Sequence, residues 1–214
     1  MNLEQEITSM AQAAQKAGRA LALIPTLNKN HALRRMARAL VRHQDYLTAE
    51  NKKDLAIAQS QSYSKALIDR LTLNEKTVNE MKTCLLDTAK LKDPVGQILE
   101  SFKRPNGLRI QKVRVPLGVV AIVYESRPNV TSDAIGLCLK SGNAAILKGG
   151  REALHSNGAI FKILRDELSN TEIPIDAIQL LPSDDRRAFQ FLLKLEKYVD
   201  VVIPRGGEEL IRFV

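Results

Sequence analysis

The sequence predicts an α/β protein: a doubly wound parallel sheet, a helical segment at its N-terminus and a protruding β-hairpin between the two. Three observations predict it. From residue 118 onward, short apolar runs alternate with helix-length segments, and turn residues separate them, the pattern of βαβ units in a parallel sheet. Before about residue 95, apolar residues recur at helical spacing instead. Between these stretches, Pro105-Asn106-Gly107 separates two runs of strand character, a hairpin signal.

Of 214 residues, 44% are hydrophobic and 26% charged, which fits a globular protein with one sizeable core or two small ones. No apolar run approaches the ~20 residues that a membrane span needs. The polar, acidic opening MNLEQEITSMAQ is not a secretory signal. The expectation is a cytoplasmic protein that engages no membrane. Cys84 and Cys138 stand without a CxxC pair or a His at metal spacing, which argues against a disulfide framework and against a metal site. Cys84 lies beside Met81 and Leu85, Cys138 among Ala134, Ile135 and Leu139; each reads as a small buried hydrophobe. The net charge is +8, with one local excess at Lys103, Arg104, Arg109, Lys112 and Arg114. Aromatics are 4% of the chain and do not interleave with that patch. A base-stacking platform is therefore missing, and nucleic acid is not an expected partner. The patch reads as a solvated strand face or a surface that attracts anions.

Residues 2–23, rich in Ala, Gln and Leu, read as a helix stopped by Pro25. Asn28 or Asn30 is placed to cap a second, with Leu33, Met36, Leu40 and Val41 on its apolar side. Residues 45–60 form a third, carrying Leu47, Leu55 and Ala58. Thr72 and Glu75 have capping-box spacing, ahead of a helix striped by Val78, Met81, Leu85 and Ala89 and broken by Asp93-Pro94-Val95-Gly96. His31 and His43 read as surface residues of these helices. Strands at 97–103 and 108–115 flank the hairpin turn. In the second, Leu108, Ile110, Val113 and Val115 alternate with cations except for a slip at Gln111, which suggests a bulge or a shifted register.

The parallel sheet opens at residues 118–124, which end in a polar loop, 125–129. A helix follows, then Gly142-Asn143 and a second apolar run, 144–147, closed by Lys148-Gly149-Gly150. A third strand at 177–181 ends at Pro182. A helix over 184–197 turns Ala188, Phe191, Leu192 and Leu195 inward. A fourth strand at 199–203 ends in Pro204-Arg205-Gly206-Gly207, and Glu208 starts another helix. Ligands of such sheets sit outside the carboxyl ends of the strands. Those ends carry Ser126, Arg127 and Asn129, then Lys148 with two glycines. Strand, Gly-Gly, helix is a phosphate-binding arrangement, because backbone N–H groups and the helix dipole both favour an anion. The residues point to a nucleotide-cofactor site in a Rossmann-like sheet, and to a longer architecture beyond the last helix.

The segments YESRPNVTSDAIGLCLKSGNAAILKGG and VDVVIPRGGEELI, with ALIDRLTLNEKTVNEM in the helical part, resemble the gamma-glutamyl phosphate reductases (glutamate-5-semialdehyde dehydrogenases) of the aldehyde dehydrogenase superfamily. The resemblance covers essentially the whole chain and rests on SRPNVT, KSGNAAILKGG and IPRGG in that order. It implies an aldehyde dehydrogenase-like fold. It implies NADPH-dependent reduction of gamma-glutamyl phosphate to glutamate-5-semialdehyde and phosphate, in proline biosynthesis. A cysteine thiolate would displace phosphate, and the thioester would accept hydride, with negative charge on the carbonyl oxygen in both steps.

The resemblance also distributes roles. Asn129 falls where the superfamily has an oxyanion-donating amide; a helix cap suits the same position. Lys148 falls at the adenosine ribose, and Gly149 and Gly150 replace a bulkier pair and leave room for a phosphate. Arg151 stands where NAD-using relatives have a Glu, and suits the 2′-phosphate of NADP. Ser126 joins the cofactor site, as do Gly206 and Gly207 at the phosphate-proximal turn. Arg127 is implied for the substrate's carboxylate or acyl phosphate, unless it pairs with a neighbouring Glu. The chain would divide into N-terminal helices at 1–98 packing on the cofactor domain, a hairpin at 99–116 belonging to the oligomerisation region, and a Rossmann-like cofactor-binding domain at 117–214. The full-length form would be a homo-oligomer. The family's nucleophilic cysteine lies beyond IPRGG, so the expectation is that a catalytic domain is absent after 214 and that this chain alone is inactive. The alternative is a non-catalytic nucleotide-binding or assembly module.

Overall fold

A computed structural model describes residues 2–181 and 186–214, with Arg186 described only in its backbone. The expected strand end at Pro182 and helix start at Asp184 lie outside the described residues.

Five helices come first: α1 (Leu3–Leu21), α2 (Thr26–Arg42), α3 (Gln44–Ser60), α4 (Lys65–Leu71) and α5 (Glu75–Lys90). Asn2 starts α1 with a capping box, its side chain accepting from Gln5 N–H at 2.8 Å while Gln5 Oε1 accepts from Asn2 N–H. The expected caps on the next helices are displaced. Pro25 sits at the N-cap of α2, so Asn28 and Asn30 fall inside the helix; proline's fixed φ suits a helix start. Asn74 rather than Thr72 caps α5, accepting from Thr77 N–H. The stripe Val78, Met81, Leu85 and Ala89 is buried, as are Leu33, Met36 and Leu40, while Val41 faces solvent. His31 and His43 are exposed. No described helix is long and apolar enough to cross a membrane.

The hairpin pairs β1 (Ile98–Lys103) with β2 (Arg109–Val113), antiparallel. Its irregularity lies between Ile98 and Glu100 of the first strand rather than at Gln111. The alternation in β2 buries no face, since its residues are almost all exposed.

The remaining elements are β3 (Val119–Tyr124), α6 (Asn129–Lys140), β4 (Ala144–Lys148), α7 (Leu154–Leu168), β5 (Ile178–Leu180), α8 (Arg186–Leu193), β6 (Val201–Arg205) and α9 (Glu208–Phe213). They build a parallel sheet in the order β5-β4-β3-β6. The chain winds outward from β3 to β5, then crosses back to place β6 on the other side of β3. Val120, Ile122 and Tyr124 face α6, α7, α2 and α5 in one core; Val119, Ala121 and Val123 face α1 and α8 in the other. In α8 the buried aromatic is Phe189, and Phe191 is only partly covered. β6 runs two residues further than its sequence suggests and includes Pro204, which an edge strand tolerates because one flank needs no N–H. Gly118 enters β3 at φ +119°, and a Cβ there would lie 2.1 Å from Asp200 Oδ2, which accepts from Val119 N–H at 2.7 Å.

A buried charged cluster fastens the N-terminal helices to α6, which packs on the sheet. Lys29, 1% exposed, pairs with Asp93 at 2.7 Å. Asp93 also accepts from Thr26 Oγ1 and Val95 N–H. Lys140, at the end of α6, donates to Asn30 Oδ1 and to the Ala89 carbonyl, which is the use the fold makes of Asn30. Burial alone would raise the Asp93 carboxyl, but Lys29 and the two hydrogen bonds outweigh it and hold the group below its ordinary value. Because the folded value is depressed, this contribution is present above the unfolded carboxylate value of ~3.9 and is lost as pH falls through the folded one.

We therefore expect Asp93→Ala to cost about 3–5 kcal/mol in urea unfolding at neutral pH, since it leaves Lys29 buried and unpaired. The variant should also lose the part of the acid-side stability decline that belongs to Asp93. An unchanged denaturation midpoint at neutral pH would refute the role.

Candidate functional site

The carboxyl ends of β3, β4 and β6 meet at one rim of the sheet. Loops leave it at residues 125–128, 149–150 and 206–207. The rim lies where the strand order reverses, and such a switch point opens a crevice. Ser126, Arg127, Gly149, Gly150, Gly206 and Gly207 lie on these loops, Asn129 and Arg151 are the first residues after them, and Lys148 is the last residue of β4 before its loop.

Tyr124, the last residue of β3, supports the rim from beneath. Thr131 donates its one hydroxyl proton to Asn157 Oδ1 at 3.1 Å, so the Tyr124 hydroxyl, 2.6 Å away, must donate to Thr131. Burial pushes the Tyr124 phenol up, which keeps it a neutral donor. The amide nitrogen of Asn157 lies against Gly149: a Cβ there would be 2.1 Å from Nδ2 and 3.3 Å from the Tyr124 ring. The space expected beside Gly149 is thus filled by packed protein.

At the other glycines the neighbour is a flexible carboxylate. A Cβ on Gly150 would meet Glu152 Oε1 at 2.2 Å, and one on Gly206 would meet the Glu125 carboxyl carbon at 2.5 Å. Glu152 Oε1 accepts from Ser126 N–H at 2.6 Å, and Glu125 Oε2 accepts from Gly207 N–H at 3.0 Å. Two of the rim's backbone N–H groups, those of Ser126 and Gly207, therefore already hold carboxyl oxygens. Sequence reasoning missed both glutamates, whose only signal is adjacency to the motifs. Lys148 Nζ donates to the Gly149 carbonyl at 2.7 Å, and Arg151 is exposed at the start of a short 3-10 turn.

Asn129 does not cap α6. The N-cap is Pro128, without a side-chain hydrogen bond. Asn129 is the first helical residue, its Nδ2 donates to Asp133 Oδ2 at 3.3 Å and its carbonyl accepts from Ser132 Oγ. Burial pushes the Asp133 carboxyl up, a rise that the Cys84 thiol and the charge of Arg205 only partly offset. Arg205 follows Pro204 at the end of β6, in register with Tyr124. Arg127 and Arg205 are both exposed and give this end of the crevice two cations.

Cys138 is buried, as expected, and burial pushes its thiol up to about 12. Cys84 departs from the expected plain hydrophobe. It is partly exposed, and burial together with its hydrogen bond to Asp133 pushes its thiol up to about 11.

Residues 2–212 match the aldehyde dehydrogenase family. The gamma-glutamyl phosphate reductase of Geobacillus sp. (strain WCH70) is 48% identical over 209 residues, 98% of this chain and 51% of that protein. The reductase of Nautilia profundicola is 50% identical over 208 residues, 96% and 51%. The crystal structure of the Thermotoga maritima gamma-glutamyl phosphate reductase superposes with a TM-score of 0.95 at 39% identity, covering 97% of this chain and 50% of that one. The chain spans about half the length of the curated relatives it matches.

Neither thiol ionises appreciably at neutral pH. Alkylation of the folded protein by iodoacetamide, followed by mass spectrometry, should leave Cys138 unmodified and modify Cys84 slowly. Asp133→Asn removes a negative charge beside Cys84 and should speed its alkylation several-fold; an equal rate in both proteins would show that Asp133 does not hold that thiol.

Proposed function

Since the chain belongs to the aldehyde dehydrogenase family, we propose that it carries the cofactor-binding part of an NADPH-dependent gamma-glutamyl phosphate reductase, which forms glutamate-5-semialdehyde and phosphate in proline biosynthesis. The observation that carries this reading is the convergence of three segments, Ser126–Asn129, Lys148–Arg151 and Arg205–Gly207, on one rim of the parallel sheet. The family resemblance of the same segments supplies the chemistry.

The rim suits a dinucleotide. Ser126 and Gly207 present N–H groups that already hold carboxylate oxygens, and phosphate oxygens suit the same donors. At Gly150 and Gly206 only the ends of flexible glutamates would have to swing aside. Gly149 takes part through its backbone. Lys148 and Arg151 place cations at the adenosine end, where Arg151 suits a 2′-phosphate. When bound, the nicotinamide supplies the hydride. Asn129 presents an amide N–H to the carbonyl oxygen on which charge develops, and donors fixed in advance stabilise that charge at little reorganisation cost. Arg127 is assigned to the substrate's carboxylate or acyl phosphate.

Neither cysteine of these 214 residues is the nucleophile in this reading, since both thiols are held protonated. Residues 1–98 serve as helices packing on the cofactor domain at 117–214, and the hairpin at 99–116 serves assembly in a cytoplasmic homo-oligomer.

Two measurements on the full-length protein test the reading. In titration calorimetry NADPH should bind more tightly than NADH, and Arg151→Glu should remove the preference. A charged hydrogen bond contributes about 1.5–3 kcal/mol, about tenfold or more in Kd. Equal affinity for both cofactors in the unmodified protein would refute the NADP assignment. In the reverse assay, NADPH should form from glutamate-5-semialdehyde and phosphate at an unchanged rate in Cys138→Ser, and residues 1–214 alone should not turn over. Turnover by residues 1–214 that Cys138→Ser abolishes would place the nucleophile at Cys138 instead.

A further inference from the structure

A carboxamide has two ends of opposite use. Its NH2 donates and its oxygen accepts, and a half-turn about the last side-chain bond exchanges them. If Asn129 is to face a developing negative charge with N–H, something must fix which end points where. A carboxylate does this without ambiguity, because when ionised it only accepts. Asp133 lies one helical turn after Asn129, and its Oδ2 stands 3.3 Å from Asn129 Nδ2. The reverse orientation would bring two acceptor oxygens together.

Asp133 is itself held. The Cys84 thiol, on α5, and the positive charge of Arg205, at the end of β6, both act on its carboxyl. The backbone end of Asn129 is held separately, since Ser132 Oγ donates to its carbonyl at 2.8 Å. Elements α5, α6 and β6 thus converge on one side chain. One amide hydrogen of Asn129 goes to Asp133; among the described residues the second has no acceptor.

Resting on the assignment of Asn129 as oxyanion donor, we propose that Asp133 is the positioning residue of this site: its carboxylate takes one N–H of Asn129 and so aims the other at the substrate carbonyl. Asp133 touches no reacting atom.

The test is steady-state kinetics of the full-length protein with Asn129→Ala, Asp133→Leu, Asp133→Asn and the double variant Asn129→Ala/Asp133→Leu, each checked for its melting temperature. Asn129→Ala should lower kcat on the order of 100- to 1,000-fold, the usual loss for one oxyanion donor. Asp133→Leu should lower kcat by up to about 100-fold, as a misaimed group does, with KM nearly unchanged. Asp133→Asn keeps an acceptor oxygen and should restore most of the rate. The double variant should be no slower than Asn129→Ala alone, because coupled groups are not additive.

A normal kcat in Asp133→Leu beside a crippled Asn129→Ala overturns the positioning role and leaves Asn129 in place. A normal kcat in Asn129→Ala removes the donor assignment and this inference with it. Equal losses in Asp133→Leu and Asp133→Asn, or a fully additive double variant, also overturn it. Should Asp133→Leu not fold, a crystal structure of the full-length protein decides: an Asn129 amide out of hydrogen-bond reach of Asp133 would end the proposal.

Discussion

The rest of the molecule depends on the complete burial of β3. All six residues Val119–Tyr124 are covered, so the strand needs parallel partners on both edges and helices on both faces. A strand buried on both faces cannot alternate apolar with polar residues. The need for cover explains why β6 crosses back past β4 to reach the open edge, and why α1, the first element of the chain, lies on the sheet among its last ones. The reversal that completes the cover also creates the crevice. Packing and site geometry therefore have one cause.

Much of this was legible in the residues. The apolar runs marked all four strands, because a doubly covered strand has a short, nearly continuous hydrophobic sequence. The motifs fell on one rim because loops after parallel strands all leave from the same end. What was not legible came from tertiary choice. Asn28, Asn30 and Thr72 are as suited to capping as Asn74, but α2 starts directly after Pro25, and Asn30 is taken by Lys140 from another helix. β2 alternates like a half-buried strand, yet nothing among the described residues covers it. The end of β6 was hidden by Pro204, which reads as a stop in a central strand but not at an edge.

The site was legible as positions and not as contacts. The motifs named Asn129, but nothing in them shows that its amide points at Asp133. The glycines looked like room for a phosphate. Local sequence cannot reveal that Asn157, on the following helix, fills the space beside Gly149, or that two glutamates lie over the others. Side chains that fill a neighbour's missing Cβ come from wherever the fold delivers them, and their spacing follows no periodic rule.

That difference in backing gives the rim a fixed jaw and two movable ones. Behind Gly149 stands a chain of buried hydrogen bonds, from Asn157 through Thr131 to Tyr124, and displacing it would break a core. Behind Gly150 and Gly206 stand the ends of glutamate side chains, which can swing aside without disturbing a core. Any anion drawn to these donors competes first with a carboxylate tethered beside them, so its observed affinity is its intrinsic one scaled by the fraction of time that the carboxylate is away. A ligand entering this crevice would take its position from the stiff side, and the yielding side would set how often it could enter.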